Sequence, residues 1–358
     1  MSSQAIAAGP IDLADVRSQV DRVLSDFLDS KARAAAACGH PAEITETLQA
    51  FLTAGGKRIR PLLCVVGWHA AGGHGDTTTI LHAAASLEMF VAFALIHDDL
   101  MDRSATRRGH PTVHRALSAR HQDRTHAEQL GDSTALLSGN FALIWSEELL
   151  HTARFTPDQR ESVHRFNDAM LAEVMFGQYR DLLGTDRFDT DVDAALQIIR
   201  YKTATGTVQR PLQIGAATAG ADARVLDACT AIGLPLGEAF QLRDDLLGVF
   251  GSPGHTGKPN LDDLREGKRT VLLALALHHA TPAQQRRLHA LVGHPALEEH
   301  DAAEVRAIFE DTGAREHTER MIDARLRQAL RALDKAAFPP HATTALRQLA
   351  HAATARTK

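Results

Sequence analysis

One segment constrains the fold more than any other: residues 80–102 hold neither proline nor glycine, are mainly apolar, and end in three aspartates. This pattern predicts a single long helix. Asp98 and Asp102 then lie one turn apart on the same face, and Asp99 lies about 100° round the axis. Carboxylates this close repel one another, and the C-terminal end of a helix disfavours negative charge. Mg²⁺ offsets such charge, usually by joining a few carboxylates to substrate phosphates.

A second helical segment repeats the pairing of carboxylates with apolar residues, at Asp244 and Asp245. If the two helices face each other, they form an acidic mouth over an apolar interior. Cations near helix ends also occur as simple caps, and adjacent arginines occur as solvated surface pairs. In combination with the carboxylates they indicate a site for two diphosphates. The cations concerned are Lys57, Arg58, Arg60, Arg107, Arg108, Lys202, Lys258 and Lys268.

The composition favours helices and gives no indication of nucleic-acid binding. Of the 358 residues 44% are hydrophobic and only 5% aromatic, and the net charge is -5. Alanine and leucine dominate, and neither strand alternation nor a P-loop occurs, so we predict an all-α fold. A charge balance this close to neutral does not favour nucleic-acid binding. We expect a disordered N-terminus over residues 1–10, a single domain over residues 11–350 and a basic tail over residues 351–358.

The cysteines and the N-terminus favour a cytoplasmic protein. Cys38, Cys64 and Cys229 are far apart and form no zinc or disulfide pattern. The first ten residues lack a signal-peptide pattern. The apolar runs are expected to be too short to cross a bilayer, so no membrane span is predicted.

Apolar periodicity and turn signals divide the chain into helices. We expect helices over residues 11–37, 42–53, 61–71, 79–102, 139–151, 157–183, 192–218 and 222–250, and amphipathic helices from residue 271 onward. Residues 103–114 and 251–269 are expected to be loops, and residues 120–138 a loop or helix edge. Gly206 interrupts its helix and predicts a kink. We interpret Asp262 and Asp263 as a helix cap.

Six sequence pieces, in order, resemble those of the trans-type isoprenyl diphosphate synthases, the polyprenyl synthetase family. One DDxxD motif alone is a weak signal, whereas six pieces in order are a strong one. The resemblance implies an antiparallel helical bundle of the isoprenoid synthase type around a central cavity, and a homodimer. The pieces are Gly56–Pro61, Asp98–Asp102, Arg107–Pro111, Lys202–Thr203, Gln241–Asp245, and Gly257–Lys258 through Gly267–Thr270.

The resemblance implies that isopentenyl diphosphate is condensed with an allylic diphosphate. Three Mg²⁺ ions would be held by Asp98, Asp102 and Asp244, with Asp99 and Asp245 in support and Mn²⁺ as an alternative ion. The groups for isopentenyl diphosphate would be Lys57, Arg60 and Arg108, with Arg58 beside them. Those facing the allylic diphosphate would be Arg107, Lys202, Thr203, Gln241, Lys258 and Lys268, and Lys202 is also expected to act in catalysis.

Three positions depart from the family pattern. Val91 stands where His or Gln usually follows the position of Glu88 by three residues, so one polar contact to isopentenyl diphosphate is missing. Gly248 stands where an aspartate is common, and Asn140 follows Gly139 in place of aspartate. None of these removes a core metal ligand, so we expect activity in a weaker or more specialised enzyme.

The product is predicted from the side chains below Asp98 on the long helix. Phe93 lies about 7.5 Å along the helix axis from Asp98, Phe90 about 12 Å, and Ala94 leaves room. The tail pocket is therefore expected to include Phe90, Val91, Phe93 and Ala94. Family members that stop at farnesyl diphosphate tend to have bulky aromatics at both of the places that match Phe93 and Ala94. Since only one is bulky here, geranylgeranyl diphosphate is the predicted product.

Other interpretations remain open at the sequence level. A farnesyl or longer-chain product is possible if Phe90 and Phe93 are ordinary core residues and another helix or a dimer partner forms the pocket floor. A class I terpene cyclase would need a second motif that Asn167–Asp168 does not complete, because Leu171 and Met175 occupy the decisive places. A non-catalytic partner subunit predicts degraded aspartate motifs, whereas both pairs are intact.

Overall fold

The computed structural model describes residues 9–184, 190–251 and 261–355. It confirms the all-α prediction. The helices are α1 (Leu13–Ala37), α2 (Glu43–Thr53), α3 (Ile59–Ala70), α4 (Thr78–Met101), α5 (Val113–Arg120), α6 (Ala127–Thr152), α7 (Pro157–Gly184), α8 (Val192–Ile198), a π-helix (Ile199–Gln209), α9 (Arg210–Thr218), α10 (Ala223–Phe250), α11 (Asp262–Arg265), α12 (Val271–His279), α13 (Pro282–Leu291), α14 (Glu299–Asp311), α15 (Ala314–Lys335) and α16 (Pro340–Thr354). Two short strands, β1 (Thr106–Arg107) and β2 (His110–Pro111), pair antiparallel in the loop after α4.

Helix α4 is the central element of the fold. It packs mainly on α6 and α3, and most of its residues are buried. Close approach to α6 depends on Gly139, because a methyl group there would lie 2.3 Å from the ring of His97. Among the described residues α4 is the one helix long and apolar enough to cross a membrane, contrary to the expectation that every apolar run is too short. Since 78% of its apolar window is buried inside the protein, it has the burial of a core helix.

Two clusters of buried apolar side chains form the core, and α10 runs through both. Leu226, Cys229, Ile232 and Leu236 belong to the larger cluster with α1, α3, α4 and α6. The following turns of α10 belong to the second cluster with α12, α14 and part of α15. The N-terminal end of α10 is capped by Asp222, whose side chain accepts a hydrogen bond from the backbone NH of Val225 at 2.9 Å.

The C-terminal helices are tied to α10 next to the second aspartate pair. Arg243 is buried, and its guanidinium donates to both carboxylate oxygens of Glu319 and, at 2.9 Å, to the backbone carbonyl of Thr354. Helix α16 continues to Thr354, so residues 351–354 are helical rather than part of a tail. The start of α6 at Ala127 also differs from the prediction, which began that helix at residue 139. Asp262 and Asp263 lie in the first turn of α11, not before it.

Candidate active site

A cavity of about 1160 Å³ opens between the C-terminal end of α4 and α10. Most of the predicted site residues line this cavity. Asp99 and Asp102 lie outside its lining, and Lys258 lies outside the described residues. The predicted residues that line the cavity are Lys57, Arg58, Arg60, Phe90, Val91, Phe93, Ala94, Asp98, Arg107, Arg108, Lys202, Thr203, Gln241, Asp244, Asp245 and Lys268.

The first aspartate motif is held by cations of the protein itself. Arg107, on β1, donates from Nε to Asp99 at 2.6 Å and from Nη2 to Asp98 at 3.3 Å. Burial opposes the ionised form of Asp98, but Lys202, Lys268 and Arg107 outweigh it and lower its pKa. Asp102 differs, because burial and the nearby Asp98 raise its pKa to about 6. The pKa values of two carboxylates in one motif are therefore shifted in opposite directions.

Lys202 connects the π-helix to the first motif. Its Nζ donates to Asp98 at 2.9 Å and to Asp181 on α7 at 2.5 Å. Burial disfavours the charge on Lys202, but the two carboxylates outweigh burial and raise its pKa. Asp181 was not identified from the sequence as a site residue. The signal was present in the run Gly177-Gln178-Tyr179-Arg180-Asp181, where the glycine allows α7 to approach the π-helix: a methyl group at Gly177 would lie 2.2 Å from the backbone nitrogen of Lys202.

The second motif lies across the cavity on α10. Asp244 is exposed, whereas Asp245 is buried and accepts a hydrogen bond from Nε2 of Gln241 at 2.7 Å. Burial is the main cause that raises the pKa of Asp245 to about 8. Asp263, on α11, approaches the same motif, and its Oδ2 would lie 1.8 Å from a methyl group added at Gly248.

Lys268 sits among several carboxylates at the polar end of the cavity. Its Nζ contacts Glu266 at 2.9 Å and Asp263 at 3.4 Å. Burial disfavours its charge, but Asp263, Glu266, Asp98 and Asp102 together raise its pKa well above the usual value. The ammonium group of Lys268 thus stands between the two motifs and partly compensates both.

The cations that follow the glycine pair take two different roles. Arg58 is buried and uses all three guanidinium nitrogens on the protein, donating to Asp21, Glu88 and the carbonyl of Leu52. All three nitrogens of this guanidinium therefore already have partners within the protein. Arg60 is different: none of the ion pairs among the described residues includes it, and burial lowers its pKa to about 10. A half-buried guanidinium without a carboxylate partner favours an anionic ligand.

Arg108 also faces the anionic end of the cavity. Its backbone has a positive φ of 54°, a conformation that is uncommon outside glycine and concentrates at functional sites. Its Nη1 donates to the carbonyl of Gly55. Burial is the main cause that lowers the pKa of Arg108. Lys57 is exposed beside it.

The opposite end of the cavity is apolar. The rings of Phe90 and Phe93 lie 5.8 Å apart and both are nearly buried, at 2% and 8% exposure. Ala94 and Val91 line the same wall. Val91, which stands where the family usually has His or Gln, is therefore part of an apolar surface. Side chains of α6 and α7 complete this end: Leu143, Val174, Met175, Tyr179 and Leu182.

This geometry suits a substrate with one polyanionic end and one apolar tail. Among the described residues no three carboxylate, imidazole or thiol groups converge closely enough to hold a metal ion by themselves. An ion bound at Asp98, Asp102 or Asp244 would therefore share its coordination with oxygens of the ligand, which is the common arrangement for Mg²⁺. Asn167, considered for a cyclase motif, is buried and donates to Glu147 at 2.7 Å instead of lining the cavity.

Similarity to known proteins agrees with this site. The model of the polyprenyl synthetase family matches residues 41–311, and the chain belongs to that family. It is a prenyl diphosphate synthase, an enzyme of prenyl transfer. A crystal structure of geranylgeranyl pyrophosphate synthase from Corynebacterium glutamicum, complexed with isoprenyl diphosphate and magnesium, superposes with a TM-score of 0.93 and 40% identity over 97% of this chain and 100% of that one.

Curated relatives carry several product names. Geranylfarnesyl diphosphate synthase of Aeropyrum pernix is 34% identical over 273 residues, which is 75% of this chain and 80% of the relative. The (2E,6E)-farnesyl diphosphate synthase of Mycobacterium tuberculosis is 32% identical over 299 residues, 83% of this chain and 78% of the relative. The names of the relatives therefore do not determine the length of the product, and the shape of the cavity in this chain has to be considered.

Proposed function

We propose that this enzyme elongates an allylic diphosphate with isopentenyl diphosphate and releases geranylgeranyl diphosphate. The main support for the proposal is that one cavity is lined by residues of both aspartate motifs, by two groups of cations and by apolar side chains. The polyanionic end matches two diphosphates, and the apolar end matches a prenyl tail. We assign Lys57, Arg60 and Arg108 to isopentenyl diphosphate, and Lys202, Thr203, Gln241 and Lys268 to the allylic diphosphate.

The donor set fits Mg²⁺. Asp98 and Asp244 line one cavity from two helices, and Asp102, just after the end of α4, adds a third hard carboxylate. Burial and the nearby Asp98 raise the pKa of Asp102, so a bound cation would stabilise its charged form. We propose three ions per site, with Mn²⁺ able to replace Mg²⁺. When bound, Mg²⁺ would supply positive charge to the diphosphate as it leaves.

The residues of the chain then have distinct tasks. Lys202 and Lys268 hold the allylic diphosphate while the bond between its oxygen and C1 of the prenyl group breaks. Arg60 and Arg108 hold isopentenyl diphosphate so that its double bond supplies the electron pair for the new carbon–carbon bond. A proton then leaves C2 of the isopentenyl unit for the departed diphosphate, and a new double bond forms. The apolar wall excludes water from the cation.

The geranylgeranyl product is supported by the wall of the cavity. Ala94, one turn from Asp98, leaves the path open, and Phe93 and Phe90, about 7.5 and 12 Å from Asp98 along the axis of α4, narrow it. The similarity to the geranylgeranyl pyrophosphate synthase of C. glutamicum also favours this product. A farnesyl product is the second candidate, because Phe93 lies near enough to Asp98 to stop the tail early.

We further propose a homodimer. Large apolar side chains are exposed on neighbouring parts of α6 and α7: Leu136, Leu137, Phe141, Ile144, Met175, Phe176, Tyr179, Leu182 and Leu183. A patch of this kind is typical of an interface. Three of these residues, Met175, Tyr179 and Leu182, also line the cavity, so a second copy would cover the outer side of the tail pocket. The three free cysteines support the further proposal of a cytoplasmic location.

One experiment tests the reaction and the product together. Purified enzyme is incubated with Mg²⁺, isopentenyl diphosphate and one allylic primer of five, ten or fifteen carbons, and the dephosphorylated products are separated by chromatography. We expect a twenty-carbon alcohol from every primer. A product of fifteen carbons only would refute the product assignment, and the absence of any condensation would refute the proposed function. Light scattering on the same sample tests the dimer.

A further inference from the structure

Arg60 is anchored to the π-helix by two hydrogen bonds. Its Nε donates to the backbone carbonyl of Gly206 at 3.1 Å, and its Nη2 donates to the hydroxyl of Thr207 at 2.7 Å. Thr207 is 1% exposed, so its hydroxyl is available to few other partners. No hydrogen bond among the described residues uses Nη1 of Arg60, which leaves that nitrogen for a ligand in the cavity that Arg60 lines.

The geometry of the π-helix explains how one segment can direct both Lys202 and Thr207 into the cavity. Lys202 lies near its beginning and Thr207 near its end, and both line the cavity. In an α-helix five residues make about 1.4 turns, so residues 202 and 207 would point to different sides. The wider turn of a π-helix, with its hydrogen bonds from i to i+5, brings residues five apart towards the same side. The segment therefore presents Lys202 to the aspartates and Thr207 to Arg60 at once.

We propose that Thr207 is a positioning residue, whose hydroxyl orients the guanidinium of Arg60 towards the diphosphate of isopentenyl diphosphate. This inference rests on the proposed assignment of Arg60 to that substrate. The carbonyl of Gly206 holds one side of the guanidinium, and the hydroxyl of Thr207 prevents rotation about the last side-chain torsions. Without the hydroxyl, Arg60 keeps its charge but loses its orientation, so substrate binding weakens while the chemical step is spared.

The test is the substitution Thr207→Val, which removes the hydroxyl at nearly constant volume. We expect KM for isopentenyl diphosphate to rise about tenfold, as for a lost hydrogen bond to a charged group. KM for the allylic diphosphate and kcat should stay within about twofold, because Lys202 is not disturbed. Thr207→Ser restores the hydroxyl and should restore KM.

Thr205→Val is the matched control on the same π-helix. The Thr205 side chain is also buried, at 3% exposure, but its hydroxyl donates to the backbone carbonyl of Tyr201 at 3.2 Å and does not contact Arg60. We expect KM for isopentenyl diphosphate to be unchanged in this variant. An equal rise of KM in Thr205→Val and Thr207→Val would overturn the proposal, since it would reflect a general loosening of the helix.

The variant Arg60→Lys distinguishes a failure of this inference from a failure of the proposed function on which it rests. If Arg60→Lys raises KM for isopentenyl diphosphate and Thr207→Val does not, the positioning role of Thr207 is wrong while the assignment of Arg60 holds. If Arg60→Lys leaves that KM unchanged, the assignment of Arg60 to isopentenyl diphosphate is itself wrong. Thermal melts of all variants identify any that are misfolded, and if Thr207→Val is among them, Thr207→Ala, which also removes the hydroxyl, carries the test against Thr207→Ser.

Discussion

Oδ2 of Asp263 lies 1.8 Å from the point that a methyl group on Gly248 would occupy. Gly248 belongs to α10 and Asp263 to α11, and the carboxylate of Asp263 fills the space beside Gly248. Gly248 stands where the family commonly has an aspartate, and the sequence alone presents this as a loss. The structure gives a physical reason for the glycine: a side chain here competes with Asp263 for the same space.

Gly248→Ala should therefore act through Asp263. The new methyl group must push the carboxylate aside, which breaks its contact with Lys268 at 3.4 Å. Because only the end of a short side chain has to move, we expect the fold to survive and KM for the allylic diphosphate to rise about tenfold or less. Steady-state kinetics with the allylic substrate varied measure this.

The double variant Gly248→Ala with Asp263→Ala is the control for that prediction. It has no carboxylate left to displace, so its KM should equal that of Asp263→Ala alone. Independent, additive effects of the two substitutions would contradict the proposed competition for space.

Asp98→Asn and Asp102→Asn should affect stability in opposite directions. The pKa of Asp98 is lowered because cations outweigh burial, so its charge stabilises the fold, and we expect Asp98→Asn to cost about 1–3 kcal/mol. The pKa of Asp102 is raised to about 6 by burial and by Asp98, so its charge is unfavourable at pH 7.5 and Asp102→Asn should stabilise the unliganded enzyme. Denaturant unfolding at pH 7.5 without Mg²⁺ measures both.

Kinetics on the same two variants complete the comparison. If both aspartates act on the leaving diphosphate, kcat should fall by about a hundredfold or more in each, whatever the change in stability. Near-normal turnover in either variant, with unchanged Mg²⁺ dependence, would contradict the assignment of that residue.

Asp245 should make the stability of the unliganded enzyme depend on pH. Burial raises its pKa to about 8, whereas an aspartate in the unfolded chain has a pKa of about 3.9. Between these values the folded state holds a proton that the unfolded state has released, so stability falls as pH rises through this window. Asp245→Asn cannot ionise and should melt at a higher temperature than the wild type at pH 8, with little difference near pH 4. Thermal melts at both pH values test this, and an equal difference at the two would refute it.

Phe93→Ala should lengthen the product. Phe93 lies in the wall of the cavity next to the small Ala94, and its ring packs on those of Phe90 and His97. Removing the ring opens space along α4, and we expect products of twenty-five carbons or more to appear. Phe90→Ala, two turns from Asp98, should have an effect only when Phe93 is already small. A chain-length profile identical to that of the wild type would exclude Phe93 as part of the pocket floor.

Local patterns in the sequence predicted much of this fold. The apolar run that ends at Asp98 predicted α4 as one helix, and apolar periodicity predicted α7 and α10 within a few residues. The start of α6 at Ala127 was missed, because residues 120–138 are rich in polar and charged side chains and the packing of α6 against α5 is a tertiary contact. The π-helix was also missed, since Gly206 predicts a kink equally well.

The site was harder to predict where a role depends on a distant partner. The cation cluster after the glycine pair indicated an anion site, but nothing in the local pattern distinguishes Arg58, which binds Glu88 and Asp21, from Arg60, which has no carboxylate partner among the described residues. Likewise, Asp181 becomes part of the site only because α7 packs on the π-helix and brings it to Lys202. Such pairings span tens of residues and are created by tertiary packing.

The π-helix also limits how homologous sequences can vary in length. Each residue of a regular helix advances the side-chain direction by about 100°. In a regular α-helix the five residues from Lys202 to Thr207 would turn about 500° and carry Thr207 away from Arg60, whereas four residues would turn about 400° and keep the two positions on one side. Within Ile199–Gln209 we therefore expect length and helix type to change together, so that a homologue with one residue fewer here has a regular α-helix, whereas loops such as residues 121–126 are free to change in length independently. The relative direction of these two side chains, more than the number of residues between them, is what evolution is expected to preserve.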